Sequence, residues 1–200
     1  MSGIRRGLMA AQQGGGIHNL VFDGTNYFDT GINLNEYDFS TVLLSLTSHS
    51  NNDNALGQWR AIFSFGPDRD EGFGIYQPYS AYNSSLGNGI YIYSGSRQFE
   101  VVSDIYNTRC SLAVRLFTDA SGVRFSGYRC MKGGAIYSSS FYGASVPYLD
   151  STLILGACRT KTTGTPIGLY WKGVIHNMDF FDKEMSNAEI DEWFKSIESV

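Results

Sequence analysis

Over most of its length the chain alternates apolar and polar residues with a period of two, and only its last stretch changes to a helical period. Short runs rich in Val, Ile, Phe and Tyr, punctuated by Gly, Asn, Asp and Ser, mark β-strands joined by tight turns. The run STVLLSLTS, Ser40 to Ser48, is almost continuously apolar at its centre. That predicts a strand covered on both faces, or one in a sheet interior. In WRAIFSFG the alternation puts Trp59, Ala61, Phe63 and Phe65 on one face and Arg60, Ile62 and Ser64 on the other. Further strands are expected over 72–76, 89–93, 98–103, 110–118, 122–131 and 152–158. NLVFDGTNYFDTGI, Asn19 to Ile32, reads as a hairpin that turns at Asp23-Gly24.

The C-terminal pattern is the most informative. Leu169 to Phe181 predicts a long strand kinked at Gly173, with Tyr170, Val174, Met178 and Phe180 as its apolar positions. Ser186 with Glu189 three residues on is a capping box, in which each side chain satisfies an amide orphaned at a helix start. The helix that follows, 187–197, places Ile190, Phe194 and Ile197 on one face with Trp193 beside them. With no helix expected before it, the pattern predicts an all-β protein of two antiparallel sheets packed face to face. An up-and-down barrel is the alternative.

Composition narrows this reading. Two hundred residues suit one all-β domain with a sizeable core, so residues 17–200 are expected to form the domain. Residues 1–16 read as an arm, ending in the flexible joint Gly14 to Gly16. A net charge of −4 supplies no electrostatic attraction toward nucleic acid or an anionic membrane. No apolar run is long enough to span a membrane, and Leu8 to Ala11 is too short for a signal peptide. Synthesis in the cytoplasm without a signal peptide is the expectation. Cys110, Cys130 and Cys158 are widely spaced in apolar strand patterns, which predicts buried free thiols.

Several motifs fall in a recognisable order: LVFDGTNYFDTGI, FSTVLLSL, SLAVRLFTDASGVRFSGYR, LILGA and YWKGVIHNMDFFDKEMSNAEI. Together they resemble the laminin G-like branch of the concanavalin A-like lectin and glucanase jelly rolls, over about residues 19–197. The resemblance implies a two-sheet antiparallel jelly-roll sandwich with one short C-terminal helix. The arm around Ile4, Arg5, Arg6 and Leu8 resembles the N-termini of small tail and structural proteins of gut bacteriophages. This implies a virion-associated protein, attached to other virion proteins through the arm.

The lectin and glucanase branches divide on chemistry. Glycoside hydrolysis needs two carboxylates facing each other across the scissile bond, and the resemblance implies that glucanase members present theirs on a strand as E-x-D-x-x-E or a near variant. No such stretch exists here, and Asp179 and Asp182 fall on opposite faces by parity. Asp68, Asp70 and Glu71 read as a solvated turn. His18, His49 and His176 have no ligand spacing, so no catalytic residue is assigned.

A binding role points elsewhere. Sugar rings stack on tyrosine, and their hydroxyls pair with planar amides. Tyr76, Tyr79, Tyr82, Tyr91 and Tyr93, interleaved with Gln77 and Asn83, are the candidate ligand-binding residues, with a second group at Tyr137, Tyr142 and Tyr148 around the serine-rich segment SSSFYGASVPY, which reads as a long surface loop. Asn51 and Asp53 are candidate calcium ligands, calcium being the one cofactor whose oxygen donors are offered, as in laminin G-like and pentraxin-like domains. The expected function is a non-catalytic module that binds a cell-surface glycan or receptor. The competing expectation is a structural virion subunit, a homo-oligomer with tyrosines in its contacts; a glycoside hydrolase with an unfamiliar acid pair is the third.

Overall fold

The computed structural model describes residues 17–49, 59–66, 72–78, 89–94, 97–140, 152–159 and 166–198. Its architecture is an all-β, two-sheet antiparallel jelly-roll sandwich closed by one C-terminal helix. The first sheet contains β1 (Ile17–Asp23), β3 (Phe39–Ser48), β8 (Arg109–Asp119), β9 (Gly122–Lys132), β10 (Ala135–Ser140) and β14 (Lys172–Phe181), in the order β1-β14-β3-β8-β9-β10. The second contains β2 (Phe28–Asp29), β4 (Trp59–Phe65), β5 (Phe73–Pro78), β6 (Ile90–Ser94), β7 (Arg97–Val102) and β11 (Ile154–Leu155), ordered β2-β11-β4-β5-β6-β7. A small ladder joins β12 (Cys158–Arg159) to β13 (Pro166–Gly168).

Alternation explains the core. Leu44, Leu46, Leu112, Val114 and Phe125 from the first sheet meet Phe63, Phe65, Phe73, Ile75 and Ile92 from the second in one buried cluster. The opposite pleat of β3 is not left in water. Leu43 and Ala113 lie under Ile190 and Phe194 of α1 (Asn187–Glu198), with Trp193 packed alongside. This is why STVLLSLTS reads as buried on both faces: one side meets the second sheet and the other meets the helix.

The helix is held by named polar contacts. Arg129 makes a two-pronged pair with Asp191, at 2.6 and 2.7 Å, which holds the Asp191 carboxyl below its ordinary range. Arg115 donates to the Met185 carbonyl at 2.8 Å. The capping box forms: the Glu189 carboxylate accepts from the Ser186 amide at 2.7 Å, and the Glu189 amide donates to Ser186 Oγ at 3.3 Å. Lys183 also donates to Glu189 at 2.6 Å. The Lys183 bond first, then the Ser186 amide, pulls the Glu189 carboxyl down to about 2.

That shift sets a pH dependence. Because the folded value lies below the ordinary one, the stabilisation is complete above the unfolded glutamate value and is lost as pH falls through about 2. An acid titration followed by helical circular dichroism should show helix loss in that window, and Glu189→Gln should flatten the dependence there. An unchanged acid profile in the variant would remove Glu189 from this role.

Four expectations need correction. First, Asn19 to Ile32 is not a hairpin: β1 pairs with β14 in the first sheet, whereas β2 pairs with β11 in the second, so the Asp23-Gly24 turn carries the chain across the sandwich. Second, the Trp59 face is broken. A register shift between Ala61 and Phe63 sends Trp59 and Ala61 outward while Ile62, Phe63 and Phe65 enter the core. Third, the irregularity in the closing strand lies at His176, between Ile175 and Asn177, rather than at Gly173. Gly173 serves a close approach instead, since a Cβ there would lie 2.5 Å from the Thr47 carbonyl oxygen. Fourth, the start of the serine-rich stretch is a strand, β10, pairing with β9 at the sheet edge.

Cys110, Cys130 and Cys158 are buried and free. Hydrogen bonding to Cys110, reinforced by burial, pushes the Cys130 thiol well up, so Cys130 is not a reactive thiolate at neutral pH. No helix among the described residues is long and apolar enough to cross a membrane.

Candidate functional site

The outer face of the second sheet carries an aromatic wall. Tyr76 on β5 and Tyr91 and Tyr93 on β6 point away from the core because Ile75, Ile90 and Ile92 take the inward pleat. Trp59, turned outward by the β4 bulge, joins them. Its indole meets Tyr91 at 5.5 Å and 81°, and Tyr93 at 5.0 Å and 76°. Tyr76 meets Tyr93 at 5.3 Å and 78°. These edge-to-face contacts place positive ring edges on negative ring faces, each contributing about 0.5–1.5 kcal/mol beyond area burial.

The hydroxyl ends are engaged as well. Tyr93 donates to Gln98 Oε1 at 2.8 Å, and the Tyr76 hydroxyl lies 3.3 Å from Cys158 Sγ. Burial first, then the neighbouring Glu100 carboxylate, raises the Tyr91 phenol. Gln98 and Glu100 themselves are exposed on β7. The wall therefore offers solvent a polar rim, with the ring faces packed behind it.

This corrects the expectation of open stacking platforms. Tyr76, Tyr91 and Tyr93 are only 0%, 3% and 7% exposed. Their faces are spent on one another, on Trp59 and on the neighbouring Leu169. Gln77 departs further from its expected role, because pleat parity turns it to the opposite side from Tyr76. It is buried where the two sheets meet, and its Oε1 accepts from Trp171 Nε1 at 3.1 Å and from the Ser48 hydroxyl.

Tyr79, Tyr82, Asn83, Asn51, Asp53 and the arm residues Ile4, Arg5, Arg6 and Leu8 lie outside the described residues, as do Tyr142 and Tyr148. Trp59 pairs with Pro78 at one end of the second sheet. Tyr137 is exposed on the edge strand β10, in the other sheet. Trp59, Gln98 and Glu100 were not singled out by sequence reasoning. Alternation groups Trp59 with Phe63 and Phe65 because a bulge leaves no local trace, and Gln98 and Glu100 gain meaning only through strand pairing.

Of the two carboxylates at the closing strand's exit, Asp179 has a structural partner. Asp179 Oδ2 accepts from the Trp193 indole N–H at 2.5 Å, tying the strand to the helix, while Asp182 is exposed beyond the strand end. Among the described residues no group of three or more His, Cys, Asp or Glu side chains is arranged to hold a metal.

These features define a jelly-roll sandwich module with an aromatic wall at one end of its second sheet. Solved structures share the fold. The CBM40 of Ruminococcus gnavus IT-sialidase bound to α2,3-sialyllactose superposes with a TM-score of 0.57 at 11% identity, over 88% of this chain and 95% of that one. The botulinum neurotoxin serotype D binding domain matches at 0.52 and 14%, over 90% of this chain and 43% of that one. A leech intramolecular trans-sialidase complexed with 2,7-anhydro-Neu5Ac matches at 0.51 and 14%, over 88% of this chain and 27% of that one. No protein-family model matches the sequence, and no curated protein matches it.

Proposed function

We propose that this chain is a non-catalytic glycan-binding module. The observation that carries the reading is the exposed amide and carboxylate rim of Gln98 and Glu100, held in front of the packed Trp59–Tyr76–Tyr91–Tyr93 wall. A rim of amide and carboxylate acceptors on a rigid aromatic backing suits the hydroxyls of a polyhydroxylated ligand. The likeness to a carbohydrate-binding module bound to sialyllactose supports the same reading and suggests sialylated glycans as the first to test. Asp179, committed to Trp193, lacks the freedom a hydrolase acid needs, which disfavours the glycosidase alternative.

The test is a titration of the whole chain with α2,3-sialyllactose and with lactose, read by calorimetry and by indole and tyrosine NMR signals. Runs with calcium and with chelator address the proposed Asn51 and Asp53 site. Binding should perturb the Trp59 and Tyr93 signals, and Gln98→Ala or Glu100→Gln should weaken it by roughly fivefold or more through lost hydrogen bonds. Silence across a glycan panel at millimolar concentration would sink the reading.

The finer proposal, resting on the arm's sequence alone, is that residues 1–16 attach the module to a phage virion through Ile4, Arg5, Arg6 and Leu8. One observation favours a purely structural subunit as the second reading: β10 is exposed along its whole length at a sheet edge, with Ile136 and Tyr137 outward. An arm-dependent closed oligomer with no glycan affinity would support that reading.

A further inference from the structure

On the outer face of the other sheet, beside the C-terminal end of α1, lies a cleft of about 480 Å³, a volume that accommodates a small ligand. Its walls come from β1, β14 and the start of β8, with Ser196 and Ile197 closing the helix side. Two matched irregularities build it. Strand β14 carries one extra residue relative to β3 at His176, and opposite it in β1, Asn19 adopts a left-handed conformation with φ of 54°. Ordinary pleating would send successive residues to opposite faces. The bulge instead brings His176 and Asn177 to the same cleft as His18 and Asn19, the re-aiming that bulges produce beside functional sites.

The chemistry there is one-sided. Arg109 donates through Nε to Ser45 Oγ at 2.9 Å and through Nη2 to the Ile197 carbonyl at 3.2 Å, both neutral oxygens. Among the described residues no carboxylate pairs with it, and its remaining N–H groups keep a fixed positive fork. The Ile197 bond also offsets the negative end of the helix dipole, which would otherwise repel an anion. Around the guanidinium stand groups that suit hydroxyls. The Asn177 amide nitrogen bonds His18 Nδ1 at 3.0 Å, which leaves His18 Nε2 as a donor, and His176 Nε2 lies 2.9 Å from Thr47 Oγ1. Burial, then Arg109 and His49, lower the His176 imidazole.

We infer that this cleft is a binding site for a small carboxylate-bearing polyol, the chemical class of the uronic acids, with the carboxylate on Arg109 and the hydroxyls on Asn19, Asn177 and the two histidines. It lies on the opposite sheet from the aromatic wall and stands whether or not that wall binds glycan.

The experiment titrates the full chain with glucuronate, glucose and acetate, by calorimetry and by NMR of the histidine rings and asparagine amides. Glucuronate should bind at least about tenfold more tightly than either of the others, because the charge-assisted and hydroxyl contacts act together, and should shift Asn19, His176 and Asn177. Arg109→Gln should lose about tenfold or more. Should that variant also loosen the helix end, Asn19→Asp decides: the side chain is exposed, aspartate tolerates the same backbone conformation, and it puts a negative charge into the cleft, so the same loss is expected. Equal affinity for glucose and glucuronate, acetate binding as tightly as glucuronate, or indifference to Asn19→Asp would each overturn the proposal.

Discussion

Replacing Trp171 by alanine should lower the unfolding free energy by about 3–5 kcal/mol, the range for emptying a buried aromatic site. Trp171 is fully buried, and its amide donates to the Gly156 carbonyl at 2.9 Å just before β14 begins. Its ring lies 5.7 Å from Phe22, and its indole N–H is shared between Ser48 Oγ at 3.2 Å and Gln77 Oε1 at 3.1 Å. Ser48 ends a strand of the first sheet and Gln77 belongs to the second, so one side chain fastens the sandwich at that end. Truncation removes the packing and the shared donor together. Trp171→Phe separates the two: most of the apolar body remains, but the buried polar pair loses its indole partner, at a cost of about 1–3 kcal/mol. Urea denaturation of both variants checks the ordering, and a phenylalanine variant as unstable as the alanine one would place the whole effect in the hydrogen bonds.

Gly156→Ala should cost roughly 2–5 kcal/mol, adding about 1–2 for a left-handed backbone to about 1–3 for overpacking. Gly156 has φ of 78°, and a Cβ there would sit 2.2 Å from Cδ1 and 2.4 Å from Cε1 of Phe22. Phe22 has little room to retreat, being itself buried and packed on Trp171. The Gly156 amide also donates to the Ile62 carbonyl at 2.8 Å, so moving the backbone instead would break a contact to β4. Combining Gly156→Ala with Phe22→Leu should recover part of the loss, because the smaller side chain relieves the clash and the two sites are coupled. Thermal denaturation reads both, and an alanine variant as stable as the parent would show that the Phe22 ring can relocate freely.

Both residues stand in the stretch LILGA to YWKGV, which the motif order already marked as part of the fold. Their motif was visible, but their partners were not. Trp171 looks like any strand aromatic until β3 and β5 bring Ser48 and Gln77 to it. The same division runs through the candidate sites. Tyr76, Tyr91 and Tyr93 were legible as a group from spacing alone, yet whether their faces were open depended on Trp59. The cleft around Arg109 had no sequence signature, since it collects residues from strands far apart in the chain.

What could be read from residue order was what neighbours along the chain decide: period-two alternation for the strands, the Ser186–Glu189 box for the helix start, and Ile190 and Phe194 for its buried face. These depend on local hydrogen bonds and on the period of the backbone, which a linear pattern records. What required the folded molecule was the pairing of β1 and β2 into different sheets, the bulges at Ala61–Phe63 and Ile175–Asn177, and the closing of the tyrosine wall. A bulge inverts which face a residue takes, and it is set by the register of strands distant in sequence. Local alternation carries no information about that register.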